Sequence, residues 1–222
     1  MGKKEVDTVQ KAFRSDRFYC VYGLTEAGPN GTLLLPEEHD KKAGSIGSRA
    51  ALNAEIRLVD EEGTDAEPGE PGEIILRGEG TMLRYEGEPE KTAETIRNGW
   101  LYTGDVGKMD EDGYIWVLER KKDIIISGGV NIYPKEVEEQ LAAHPDISEC
   151  AVIGMPNKDW GETVTACIVL KEKAESTEKE WKDFLSGKLA DYKIPRQFRV
   201  ISELPRNPTG KILKHRLQEV HT

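Results

Sequence analysis

The chain has 222 residues, enough for one large domain or two small ones. Its 41 acidic and 31 basic residues leave a formal charge of −10, which argues against general nucleic-acid binding. With 37% hydrophobic and 32% charged residues and no apolar run near the ~20 residues of a membrane span, the composition is that of a globular protein with a wet surface.

Cys20, Cys150 and Cys167 show neither metal-ligand spacing nor a CxxC. Cys150 and Cys167 sit in apolar stretches and read as buried thiols, which suits a reducing, cytoplasmic setting. Met1-Gly2-Lys3-Lys4 is not followed by a signal-peptide core. Val6 stands where N-myristoylation requires Ser or Thr.

In chain order, residues 5–14 read as a helix with Val6, Val9 and Phe13 on one face. Residues 17–21 read as a buried strand feeding a turn at Tyr22-Gly23, and 28–50 as a long loop. Residues 54–60 alternate as a strand, 61–72 are an acidic Pro/Gly connection, and 73–77 are the next strand. Residues 106–109 and 114–118 flank Asp110-Glu111-Asp112-Gly113, a hairpin signal. The first half is therefore β-rich, as a barrel-like or strongly bent sheet.

Near residue 122 the pattern changes. Pro134 opens a helix with Val137 and Leu141 inward, ended by His144-Pro145. Strands at 149–155 and 163–170 follow. A helix over 177–189 carries a capping box at Thr177 and Glu180 and an apolar face of Trp181, Phe184, Leu185 and Leu189. A strand at 197–201 and a helix at 212–220 complete a compact α+β unit of ordinary domain size.

Five short motifs stand in order: Tyr22-Gly23-Leu24-Thr25-Glu26, Tyr102-Thr103-Gly104-Asp105, Glu119-Arg120-Lys121-Lys122-Asp123, Gly128-Gly129-Val130-Asn131 and Pro208-Thr209-Gly210-Lys211. Each alone also reads as an ordinary turn, a solvated basic pair or an exposed lysine. Together they put hydroxyls, carboxylates, a guanidinium and an ammonium on turns, which is what a nucleotide and an activated carboxylate need. Carboxylates accept hydrogen bonds from a ribose diol, a guanidinium forks between ribose and phosphate oxygens, and a magnesium ion takes oxygen ligands. The last motif is not a Walker A loop, since Ile212 occupies the Ser/Thr position.

This ordered set resembles the acyl-adenylate-forming superfamily of acyl-CoA ligases, luciferases and peptide-synthetase adenylation domains. The resemblance spans essentially the whole chain and implies roles. Tyr22 stacks on adenine with Gly23 allowing close approach, Thr25 contacts the α-phosphate, and Glu26 binds Mg2+. Asp105 holds the ribose hydroxyls, and Arg120 bridges ribose and phosphate. Lys122 is a hinge, Gly128 and Gly129 line the pantetheine tunnel of coenzyme A, and Lys211 inserts into the active site for adenylation. It also implies three parts: 1–119 as the end of a large AMP-binding domain, 120–123 as the hinge, and 124–222 as a small α+β domain. Arg-Lys-Lys-Asp followed by Ser-Gly-Gly-Val-Asn-Ile-Tyr-Pro is most similar to the fatty-acyl and aryl-acyl CoA ligases.

The family's Ser/Thr/Gly-rich phosphate loop lies well upstream of the first motif, and the 21 residues before Tyr22 contain no such loop. Met1 is then expected to be an internal methionine of a longer protein. Two function classes follow. One is part of an ATP-dependent carboxylate:CoA ligase that needs the rest of the enzyme, for instance a separate N-terminal half. The other is a non-catalytic fragment that binds a partner chain or a nucleotide. An apolar face left by the large domain would promote self-association.

Overall fold

The computed structural model describes residues 2–28, 31–51 and 53–219, and Val220, expected at the end of the last helix, lies outside them. The chain forms two compact units, Met1–Lys121 and Lys122–Thr222.

In the first unit, α1 (Lys3–Phe13) starts where the Gly2 amide donates to the Glu5 carboxylate at 2.8 Å. It buries Val6, but Phe13 is 79% exposed, contrary to the expected apolar face. The helix stops one residue later at left-handed Arg14. β1 (Cys20–Tyr22), β2 (Thr32–Leu34) and β3 (Arg49–Ala50) form an antiparallel sheet in that order, with α2 (His39–Lys42) between the last two. The expected buried strand is therefore a short edge strand with Val21 52% exposed, and the expected loop contains two strands and a helix. Gly47 makes this possible. It is left-handed, and a Cβ there would lie 2.1 Å from the Leu33 carbonyl oxygen.

A second antiparallel sheet carries the site. β4 (Ala54–Val59), β5 (Pro71–Gly78), β7 (Trp100–Met109) and β6 (Ile96–Arg97) lie in that order, and β8 (Ile115–Arg120) pairs with β7. α3 (Pro89–Thr95) precedes β6. The hairpin between β7 and β8 forms as expected: Asp110 Oδ1 accepts from the amides of Asp112 and Tyr114, and Gly113 takes φ 82°. Ile74, Ile75 and Leu76 of β5 are fully buried; Ile74 packs with Leu58 and Ile115, and Leu76 with Leu101. Ile74 and Leu76, two residues apart, share one face of the pleat, and Ile75 lies on the other.

The second unit is a sheet of β10 (Val130–Ile132), β9 (Ile125–Ser127), β12 (Gly161–Leu170) and β11 (Ile147–Asn157), with β13 (Gln197–Val200) parallel to β12. Val152, Val164, Ala166 and Ile168 face α4 (Pro134–Ala142) and α5 (Glu178–Leu185) through Val137, Leu141, Trp181 and Leu185. The alternate residues Ala151, Ile153 and Cys167 face Leu217 of α6 (Lys214–Glu219). The capping box is present, with the Glu180 amide donating to Thr177 Oγ1 and the Thr177 amide donating to Glu180 Oε2. No cysteine is disulfide-bonded, and burial pushes the Cys150 thiol up to about 12. The expected α+β class, a β-rich portion followed by a compact α+β one, is the observed one. No helix among the described residues is long and apolar enough to cross a membrane.

Candidate active site

The centre of the site is an irregularity in β7. Val106 pairs with Glu73 and Tyr102 with Ile75, so Thr103, Gly104 and Asp105 lie opposite the single Ile74. Such bulges re-aim side chains. Gly104 supplies the left-handed backbone, φ 72°, that the bulge requires. Nearby side chains take up three of the backbone groups around it. Thr103 Oγ1 donates to the Ile74 carbonyl at 2.7 Å and accepts from the Asp105 amide at 3.1 Å. The Gly104 amide donates to Glu73 Oε1 at 3.1 Å.

Asp105, thus aimed, is only 8% exposed. Its Oδ2 accepts from the Tyr22 hydroxyl at 2.7 Å, and its Oδ1 takes Arg120 Nε at 2.7 Å across the β7–β8 pair. A carboxylate has about four acceptor positions, so two remain for further donors such as the hydroxyls of a diol. The Arg120 side chain is 42% exposed and keeps its terminal nitrogens free of bonds among the described residues. Burial, and next the Asp105 charge, push the Tyr22 phenol well above its ordinary range, so the hydroxyl remains a donor.

Thr25 and Glu26 lie on a 3₁₀ turn, Thr25–Ala27, with Gly23 and Thr25 exposed. The turn is fastened at both ends. The Met82 amide donates to the Glu26 carbonyl at 2.7 Å, and left-handed Gly28 approaches Gly80 so closely that a Cβ would meet its carbonyl oxygen at 2.6 Å. Glu26 Oε1 accepts from the Tyr85 hydroxyl at 2.9 Å, leaving Oε2 unbonded among the described residues. Burial, then the bond to Glu26, raise the Tyr85 phenol. Glu26, Glu73, Tyr85, Gly104 and Arg120 line one cleft of about 280 Å³. The described residues contain no group of three or more His, Cys, Asp or Glu able to hold a metal ion. One free carboxylate oxygen fits Mg2+ only where phosphate oxygens complete the shell, as is usual for that ion with nucleotides. A larger cavity, about 560 Å³ beside α1 and α2, holds none of the expected site residues.

Lys122 opens the second unit, on the 3₁₀ turn Lys121–Asp123. Gly128 and Gly129 are the two residues of a tight hairpin between β9 and β10, at φ 60° and 79°. Positive φ at both central positions matches the right-handed twist of the strands. The Gly128 amide donates to the Trp160 carbonyl at 2.8 Å, a Cβ on Gly128 would lie 2.8 Å from the Trp160 ring, and Arg196 covers that ring at 4.3 Å. Lys211 is exposed at the end of a turn in which Asn207 Oδ1 accepts from the amides of Thr209 and Lys211, and Gly210 takes φ 87°.

The first unit thus gathers Tyr22, Glu26, Asp105 and Arg120, while Lys122, Gly128, Gly129 and Lys211 belong to the second. Three participants went unread in the sequence: Glu73, Tyr85 and Trp160. Glu73 carried a usable signal, being a lone carboxylate that leads a fully apolar run, Ile74-Ile75-Leu76.

Residues 1–86 match the family model for AMP-binding enzymes, and residues 136–211 match that for the AMP-binding enzyme C-terminal domain. A long-chain-fatty-acid–CoA ligase of Mycobacterium tuberculosis, FadD13, is 41% identical over 90% of this chain and 39% of its own length. A 2-succinylbenzoate–CoA ligase of Geobacillus is 40% identical over 91% of this chain and 41% of its own. The solved structure of o-succinylbenzoate CoA synthetase from Bacillus subtilis, in complex with the acyl-adenylate intermediate OSB-AMP, superposes with a TM-score of 0.87 at 36% identity, over 98% of this chain and 44% of that one. The chain belongs to the adenylate-forming, AMP-binding enzyme family, in the company of fatty-acyl and aryl-acyl CoA ligases. It spans about two fifths of the length of the curated relatives it matches.

Proposed function

We propose that these residues are the C-terminal part of an ATP-dependent carboxylate:CoA ligase acting on a fatty acid, with an aryl acid as the other substrate class. The reaction joins the carboxylate to AMP with loss of pyrophosphate, then transfers the acyl group to coenzyme A. The observation that carries the reading is the Asp105–Arg120 pair. One shielded carboxylate with two acceptor positions left sits beside one exposed guanidinium, as a ribose diol next to a phosphate requires. Tyr22, whose hydroxyl holds Asp105, would stack on the adenine, with Gly23 allowing close approach, and Thr25 would contact the α-phosphate from the turn where Glu26 would hold Mg2+ on the nucleotide's phosphates. Lys211 is the ammonium that meets carboxylate and α-phosphate as negative charge gathers, lowering the barrier electrostatically. Lys122 is the hinge between 1–119 and 124–222 that alternates the two half-reactions, and the Gly128-Gly129 turn lines the path of the pantetheine thiol. A related structure in complex with ATP and magnesium ion, and another in complex with AMP, support this assignment of substrates. The unbonded thiols support a cytoplasmic setting. The exposed Phe13, Tyr19 and Val21 face the remainder of the large domain, on this or a separate chain, and in its absence a second copy.

The test is acyl-CoA formation with ATP, Mg2+, coenzyme A and a panel of fatty and aryl acids, beside Lys211→Ala. Lysine-dependent product supports the ligase. No product from the folded chain, either alone or combined with the N-terminal part of a relative's large domain, would overturn it and leave a fragment that binds a nucleotide or a partner.

A further inference from the structure

We propose that Glu73 is the positioning residue of this site, setting both members of the Asp105–Arg120 pair with its two carboxylate oxygens. The inference rests on reading that pair as ribose-facing. Glu73 is 9% exposed, the third residue of β5, and the next three residues are wholly apolar. A carboxylate so placed is costly unless both oxygens are paired. Oε1 accepts from the Gly104 amide at 3.1 Å, and Oε2 takes the Lys121 ammonium at 2.9 Å.

Each partner is the chain neighbour of one member of the pair. Gly104 precedes Asp105, Lys121 follows Arg120, and Asp105 and Arg120 are bonded to each other at 2.7 Å. The result is a closed ring: Glu73 to Gly104, along the chain to Asp105, across to Arg120, along to Lys121 and back to Glu73. The bulge leaves the Gly104 amide without a strand partner, so Glu73 replaces the missing ladder bond. Lys121 is half-exposed, and its tether fixes the last residue of the first unit. Without Glu73, Asp105 and Arg120 remain bonded but drift together, and a diol loses its fixed acceptor geometry.

The experiment titrates the full chain with AMP and with 2′,3′-dideoxy-AMP by calorimetry, for wild type, Glu73→Gln, Glu73→Ala and, as reference, Asp105→Asn. Wild type is expected to prefer AMP. Glu73→Ala should lose about tenfold in AMP affinity, the value of one hydrogen bond to a charged group, with dideoxy-AMP unchanged. Glu73→Gln keeps an acceptor for Gly104 but not the charge for Lys121, and should fall between. A merely structural role would weaken both nucleotides alike. A folded Glu73→Ala protein that keeps the wild-type preference overturns the inference while leaving the ribose reading intact. Should Glu73→Ala not fold, Glu73→Gln and Lys121→Met carry the same comparison. If wild type shows no preference and Asp105→Asn changes nothing, the ribose reading itself fails. Hydrogen exchange then decides on Glu73 alone: faster exchange at Gly104 and Lys121 in the variant supports its hold on the bulge, and unchanged exchange refutes it.

Discussion

Tyr22→Phe isolates one bond of the site. The ring stays packed between the two clusters of the first unit, and only the hydroxyl that donates to Asp105 Oδ2 at 2.7 Å is removed. Because Asp105 is almost fully shielded, no water replaces the donor at full strength. The cost at pH 7 should be about 1.5 kcal/mol, the low end for a hydrogen bond to a charged group. The pH dependence is more distinctive. Burial and the Asp105 charge raise the folded-state phenol above its ordinary 10.0, so the folded state favours the protonated form. That contribution is fully present below pH 10. Above it the unfolded chain releases the proton and the folded chain keeps it, so wild-type stability falls by about 1.4 kcal/mol per pH unit relative to the variant. The two stabilities should meet about one unit above the ordinary tyrosine value and then cross. Tyr85, Tyr114, Tyr133 and the two raised thiols titrate in both proteins and cancel in the difference. With 5-fluorotryptophan, urea titrations by ¹⁹F NMR separate the units, since Trp100 and Trp116 report on the first and Trp160 and Trp181 on the second. Parallel stability curves from pH 7 to 11 would refute the bond as described.

Leu141→Ala removes a wholly buried side chain from the α4 face and should cost about 2–5 kcal/mol, seen as earlier urea unfolding at Trp160 and Trp181 only. Thr177→Ala deletes the cap of α5 and should cost about 1 kcal/mol in the same signals. Gly129→Ala meets nothing within 4 Å, so it should cost only the left-handed backbone, about 1–2 kcal/mol. Gly128→Ala must also displace the Trp160 ring, and should cost more and shift the Trp160 resonance, which Gly129→Ala leaves in place.

Much of this was legible where the determinants are local. The Asp110–Gly113 hairpin, the Pro134 helix start and the Thr177–Glu180 box are each written in a few adjacent residues, and all three formed. What was missed depends on distant partners. β2 is three residues long and exists because Leu33 pairs with Val21 and Arg49. α3 has no buried residue and therefore shows no apolar period to read. Phe13 and Val21 look like core by type, yet they are 79% and 52% exposed. At the site, the order of motifs pointed to Asp105 and Arg120, but the bulge that aims Asp105 is a mismatch of registers between two strands. Only Gly104 hints at it, and neither Glu73 nor Tyr85 lies in any of the five motifs.

The most direct measurement is an amide-resolved NMR titration of the full chain with AMP. Saturable shift changes are expected, concentrated at Tyr22, at Gly104 to Val106 and at Arg120, and lost in Asp105→Asn. A folded chain whose resonances at these positions do not move at millimolar AMP, or move only elsewhere, would contradict nucleotide binding at this site.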